Sequence, residues 1–123
     1  TFFPNSLEMV AALKTIEIME RENVIETIWR RGEVLLKGLQ SAVDQSGMAA
    51  QVSGIPPMPF LTFDADKTGD YKRKRTAFYT QMIRRGVFLA PYHHGYICWR
   101  HSDEDIQTII GAAHESLNIA KDA

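Results

Sequence analysis

The stretch Ala50-Gln-Val-Ser-Gly-Ile-Pro-Pro-Met-Pro-Phe-Leu-Thr-Phe63 decides the architecture. Before it, apolar residues recur at helical spacing; within it they do not. Ala50 to Ile55 reads as a short strand, and Phe60 to Phe63 as a second. Pro56, Pro57 and Pro59 around Met58 exclude helix and disfavour a central ladder position, because proline has no N–H to donate. The Phe60–Phe63 strand is therefore expected near a sheet edge. Asp64 to Gly69 reads as a polar loop.

Working back towards the N-terminus, Ile25, Ile28, Trp29, Leu35, Leu36, Leu39 and Val43 form a regular stripe. It predicts one long helix over 23–45, with Asn23 and Glu26 as a capping pattern and Gly47 as its stop. Gly32 lies on the same face, where it permits close approach of another backbone. Before that, Asn5 and Glu8 form a capping pattern for a first helix. Met9, Ala12, Leu13, Ile16 and Met19 make a narrow stripe on it, while Val10 and Ile18 lie off the stripe. That helix is expected to pack on more than one side.

Forward of the strands, a third helix is expected over about 70–85, with Phe78, Tyr79, Met82 and Ile83 on one side and Gly86 closing it. Val87–Ala90 reads as a strand, Pro91–Gly95 as a turn and Tyr96–Arg100 as the returning partner. Ser102 caps a last helix with Asp105 three residues on, and Ile106, Ile109, Ile110, Ala113 and Leu117 form its buried stripe. The order implies an α+β chain. It begins with an N-terminal helical arm and a long helix and ends in a small two-layer sandwich, a mainly antiparallel sheet covered by helices. Residues 1–22 are surplus to the sandwich and read as the end of another unit. Residues 23–45 connect, and residues 46–123 form the small domain.

Composition narrows the function classes. The 123 residues are 45% hydrophobic and carry a net charge of −1, so no global field favours nucleic acid or a membrane surface. No apolar run approaches the roughly 18 residues of a membrane span. Cys98 stands alone, which excludes a disulfide framework and fits a cytoplasmic setting. The dense basic run Lys72-Arg-Lys-Arg75 spreads around a helix and reads as a solvated helix start, with Arg75 left to snorkel or pair beside Phe78 and Met82. His93, His94, Cys98 and His101 lack the spacing of a tetrahedral metal site, since adjacent histidines on extended backbone face opposite ways. Turn polarity is the plain reading of this segment; lining of a substrate pocket by Tyr92, His93 or His94 is the alternative. Arg100 reads as the partner of Asp103 or Glu104 in a surface ion pair. Trp29 and Trp99 read as core or interface residues.

Two stretches resemble a known family. Thr1-Phe-Phe-Pro-Asn-Ser-Leu-Glu-Met-Val-Ala-Ala12 is similar to a segment of class-III aminotransferases, fold-type-I enzymes dependent on pyridoxal phosphate. Gly86-Val-Phe-Leu89, Pro91 and His101-Ser-Asp-Glu-Asp-Ile106 are similar to the C-terminal region of those enzymes, nearest the glutamate-1-semialdehyde aminomutase branch. Pro4 stands where the family has Gly, and Ser6 where it has Pro. The resemblance covers nearly the whole chain and implies the C-terminal portion of a longer enzyme. It implies a homodimer with a shared active site, in which the Thr1 hydroxyl donates to the cofactor phosphate of the neighbouring subunit. It further implies a small amino or keto substrate, and a Schiff-base lysine upstream of Thr1, so that these residues hold no catalytic group and are inactive alone. A freestanding α+β binding module is the competing expectation.

Overall fold

The computed structural model describes residues 5–123. The elements run α1 (Ser6–Arg21), α2 (Val24–Ser46), β1 (Ala50–Ile55), β2 (Met58–Phe63), α3 (Asp70–Arg84) and α4 (Asp103–Ala120). β1 and β2 form an antiparallel hairpin in register from Ala50 opposite Phe63 to Ile55 opposite Met58, with Pro56 and Pro57 in the turn. α4 packs against both α2 and α3, and α2 and α3 in turn meet the hairpin. The chain is α+β, as the element order predicted.

Local chemistry sets most element ends. Asn5 Oδ1 accepts the Glu8 N–H at 2.9 Å and caps α1. Ser102 and Asp105 form a reciprocal capping box at α4. Gly47 takes φ +69° and donates its N–H to the Val43 carbonyl, which ends α2. The expected cap at Asn23 is absent: its backbone is left-handed, so its side chain makes no capping bond. Instead the backbone turns there between two helices.

The core lies among α2, α3, α4 and the inner face of the hairpin, with α2 and α3 between α4 and the strands. Leu35, Leu39 and Val43 from α2 meet Leu61, Phe78, Met82, Ile106 and Leu117. Phe63 packs on Phe78 with ring centroids 5.6 Å apart. Gly32 lets α2 approach the Pro56 backbone so closely that a Cβ would strike the Pro56 carbonyl. Ala112, Ala113 and Ser116 keep the buried face of α4 small. Ile83, expected on the buried side of α3, is 53% exposed, because it turns away from Phe78 and Met82. Ile25 and Trp29 likewise stay exposed at the N-terminal end of the α2 stripe.

α1 behaves differently. None of its residues is buried, and among the described elements it touches only α2. Met9, Leu13 and Ile16 are all more than half exposed.

The sheet departs from expectation beyond Gly86. Val87–Ala90 and Tyr96–Arg100 do not pair with each other as strands. Instead, the Gly95 N–H donates to the Pro59 carbonyl at 2.8 Å and the Ile97 N–H to the Pro57 carbonyl at 2.9 Å. This is antiparallel spacing along the free edge of β2. Both acceptors are prolines, which have no N–H to return, so the ladder is one-way and no third strand forms. Among the described residues, no helix is long and apolar enough to cross a membrane.

Candidate functional site

A cavity of about 570 Å³ opens between the free edge of β2, the 86–97 segment and the start of α4. Its volume suits a small ligand. The floor is apolar, built by Leu35, Leu39, Leu61, Val87, Leu89 and Ile97. The polar groups are His93, His94, Tyr96, His101, Asp105, Thr108 and the Tyr79 hydroxyl.

Most of these polar groups have a structural reason for their place. The two one-way bonds to Pro57 and Pro59 pin the segment, so the turn before Gly95 overhangs the floor. His94 stacks on Phe60 with ring centroids 5.0 Å apart, and His93 lies 5.7 Å from the Tyr96 ring. His93 Nδ1 is 3.1 Å from the His94 carbonyl. Past the floor residue Ile97, the chain turns back on itself. There the Cys98 N–H donates to His101 Nδ1, and the His101 N–H donates to the Cys98 carbonyl, both at 3.1 Å. The Tyr79 hydroxyl donates to the Leu61 carbonyl at 3.3 Å, and burial pushes its pKa up. Asp105 accepts from the Ser102 backbone N–H and hydroxyl, which holds its carboxyl below the usual range.

Of the residues singled out in the sequence, the cavity gathers His93 and His94 but not Tyr92. Tyr92 takes φ +66°, and its ring lies under the Arg75 guanidinium, 4.1 Å from centroid to Cζ. That contact also gives Arg75 the pairing its position demanded. Thr1 lies outside the described residues. Arg100 is exposed and makes no ion pair among the described residues. The expected Arg100–Asp103 pair is replaced, because α2 passes the start of α4 and brings Arg30 and Arg31 to Asp103 at 3.1 and 2.7 Å. These two arginines hold the Asp103 carboxyl below its ordinary range. Sequence reasoning weighed His101 only as a metal ligand; its place beside α4 is what puts it in the cavity. Among the described residues, no group of three His, Cys, Asp or Glu side chains converges as a metal site would.

Among the described residues, no lysine or arginine lines the cavity. A phosphate group of a cofactor would find no cation here, and an aldehyde no amine. The described residues therefore do not fit pyridoxal phosphate as a complete site, and no catalytic step is derived from them through it. They can supply a shaped, largely apolar wall with fixed hydrogen-bonding groups. A second concavity, between α1 and α2, is lined by Ile16, Met19, Ile25 and Trp29 with Glu20, Asn23 and Glu26 at its edge.

No protein-family model matches the chain. By sequence, it is 48% identical over 117 residues to the 3-aminobutyryl-CoA aminotransferase of Cloacimonas acidaminovorans, which covers 95% of the chain and 28% of that relative. The chain thus spans little more than a quarter of that relative's length. By structure, it resembles the FumI protein of Sphingopyxis sp., solved in its pyridoxal-phosphate internal aldimine form, with TM-score 0.82 and 22% identity. That match covers 99% of the chain and 30% of FumI. It also resembles the adenosylmethionine-8-amino-7-oxononanoate aminotransferase of Methanocaldococcus jannaschii, with TM-score 0.71 and 21% identity over 89% of the chain and 26% of that enzyme. The chain has the fold of the C-terminal portion of pyridoxal-phosphate aminotransferases and is, over nearly its whole length, a homologue of one aminotransferase.

Proposed function

We propose that this chain is the C-terminal portion of a pyridoxal-phosphate-dependent aminotransferase and forms one wall of its substrate site. The observation that carries this reading is the 48% identity to an aminotransferase over 95% of the chain. Residues 1–22 belong to the end of a cofactor domain, 23–45 connect, and 46–123 form the terminal domain. The unburied α1 supports that division, since its Met9, Leu13 and Ile16 stay more than half exposed among the described residues. The cofactor and its lysine belong to the upstream domain. Thr1 donates its hydroxyl to the cofactor phosphate of the second subunit in a homodimer, and the setting is the cytoplasm. Tyr92, His93 and His94 sit on the turn that faces the substrate, with Tyr92 bracing it through Arg75.

The reaction is transfer of an amino group between two molecules. The relative's named substrate, a 3-amino acyl thioester of coenzyme A, is the first to try. The His101–Ile106 motif favours a second reading, an intramolecular amino shift of the aminomutase kind.

The test uses the protein translated from its complete reading frame, supplied with pyridoxal phosphate, an amino donor and a keto or aldehyde acceptor. The expected result is a borohydride-sensitive absorbance band near the visible and an amino group on the acceptor. The 123-residue chain alone gives no such band. Product formed without any acceptor would favour the amino shift. A complete protein with neither band nor product would end the proposal, and a borohydride-trapped adduct at one lysine of this chain would overturn the assignment of that lysine upstream.

A further inference from the structure

Two histidines in the cavity are fixed in opposite senses by backbone. A carbonyl only accepts, so the contact between His93 Nδ1 and the His94 carbonyl places the neutral ring's proton on Nδ1 and leaves Nε2 an acceptor. A backbone N–H only donates, so the Cys98 N–H on His101 Nδ1 puts that ring's proton on Nε2, a donor. The lining of the cavity therefore includes one ring with an acceptor nitrogen and one with a donor N–H, beside an apolar floor.

Charge completes the pattern. Among the described residues, no lysine or arginine lines the cavity, and Asp105 adds a carboxylate at its edge. The neighbouring arginines are engaged elsewhere: Arg31 with Asp103 and the Trp99 carbonyl, Arg75 with Tyr92. A free carboxylate seated against this wall would lose water and gain no cation from the described residues, which is costly. A secondary amide loses little, because its C=O and N–H each find a partner.

We propose that this wall selects the uncharged arm of an acyl thioester, seating a secondary amide of the pantetheine type with its C=O on His101 Nε2–H and its N–H on His93 Nε2. The inference rests on the aminotransferase reading for its biological sense, but its ligand chemistry follows from the cavity. It makes His93 and His101 specificity-determining residues.

The test is calorimetric binding to the complete protein, with pantetheine as probe and pantothenate as control; the control shares an amide but ends in a carboxylate. Pantetheine is expected to bind about tenfold more tightly or better. His101→Ala and His93→Ala should each weaken pantetheine about five- to tenfold, the worth of one hydrogen bond. His101→Gln, which keeps an N–H donor, should recover most of the loss. Circular dichroism checks that each variant is folded; His93 lies on an exposed turn, so its variant remains informative if His101→Ala disturbs α4. Equal binding of the two probes, or folded variants that leave pantetheine affinity unmoved, would overturn the inference. Turnover separates the two readings. Discrimination between probes without amino transfer sinks the aminotransferase reading alone, and amino transfer without discrimination sinks this one alone.

Discussion

Three helical glycines give a graded test of how the helices are packed. An added Cβ at Gly111 would meet nothing within 4 Å. There, only propensity acts, and Gly111→Ala should stabilise by up to about 1 kcal/mol. At Gly38 the Cβ would crowd Ile110, a β-branched side chain with one strongly preferred χ1 in a helix; displacing it costs about 1 kcal/mol, which nearly cancels the propensity gain. At Gly32 the Cβ would strike the Pro56 carbonyl oxygen and carbon and lie 2.9 Å from its Cα. That backbone cannot rotate aside, because Pro56 closes a hairpin held by the β1–β2 register. Overpacking costs about 1–3 kcal/mol. Set against the propensity gain of about 1 kcal/mol, Gly32→Ala should destabilise by up to roughly 2 kcal/mol, towards the upper end because backbone is struck. Urea unfolding of the chain, followed by circular dichroism, reads the order directly: the midpoint rises for Gly111, barely moves for Gly38 and falls for Gly32, at constant slope. If Gly32→Ala raised the midpoint as Gly111→Ala does, α2 would not sit against the Pro56 turn, and the placement of the hairpin would be wrong.

Other expectations concern charge, burial and the first helix. Asp103, Asp105 and Asp66 have folded-state pKa values below the ordinary range, through Arg31 and Arg30, through Ser102, and through Thr68 with the 69–71 backbone. Lowered carboxyls contribute stability that is present above the unfolded value of about 3.9 and lost as pH falls through the lower folded values. Unfolding midpoints measured from neutral pH downward should therefore drop below about pH 4, and Asp103→Asn should flatten the drop; an unchanged profile would dismiss the Arg30–Arg31 contact. Ser116 Oγ is fully buried and has no hydrogen-bond partner among the described residues. Ser116→Ala should therefore stabilise by about 1 kcal/mol in the same urea assay, whereas a loss would reveal a partner for the hydroxyl. The exposed Met9, Leu13 and Ile16 face should make the 123-residue chain associate with rising concentration in sedimentation equilibrium. Leu13→Glu with Ile16→Glu should abolish this; a wild-type chain that stays monomeric throughout would refute it.

The helices were legible because their signals are local. Asn5, Ser102 with Asp105, and Gly47 act within a turn of themselves, and the α2 and α4 stripes need only a core to face. The cap expected at Asn23 failed because two helices meet there, and the link forces a left-handed residue that no capping preference reveals. Strands at 50–55 and 60–63 were readable, but their pairing as a hairpin, the start of β2 at Met58 and the fate of residues 87–100 were not. Their apolar alternation suits a strand, while the partner they meet is decided by tertiary placement. The candidate cavity was half legible. His93 and His94 stood out as a polar turn, and nothing local showed that Tyr92 would turn to Arg75. Nor could sequence spacing tell that Arg30 and Arg31, some seventy positions before Asp103, would take the place expected for Arg100.

The proline acceptors along β2 have a further consequence. An ordinary ladder transmits register: insert a residue in one strand and every rung beyond it slips. Here the 95–97 segment hangs from two donors and receives nothing back, so a change in length before Gly95 or after Ile97 leaves the hairpin bonding untouched. The cavity overhang is thereby insulated from the sheet that carries it, and its side chains are free to be rewritten for a new ligand while the scaffold stays as it is.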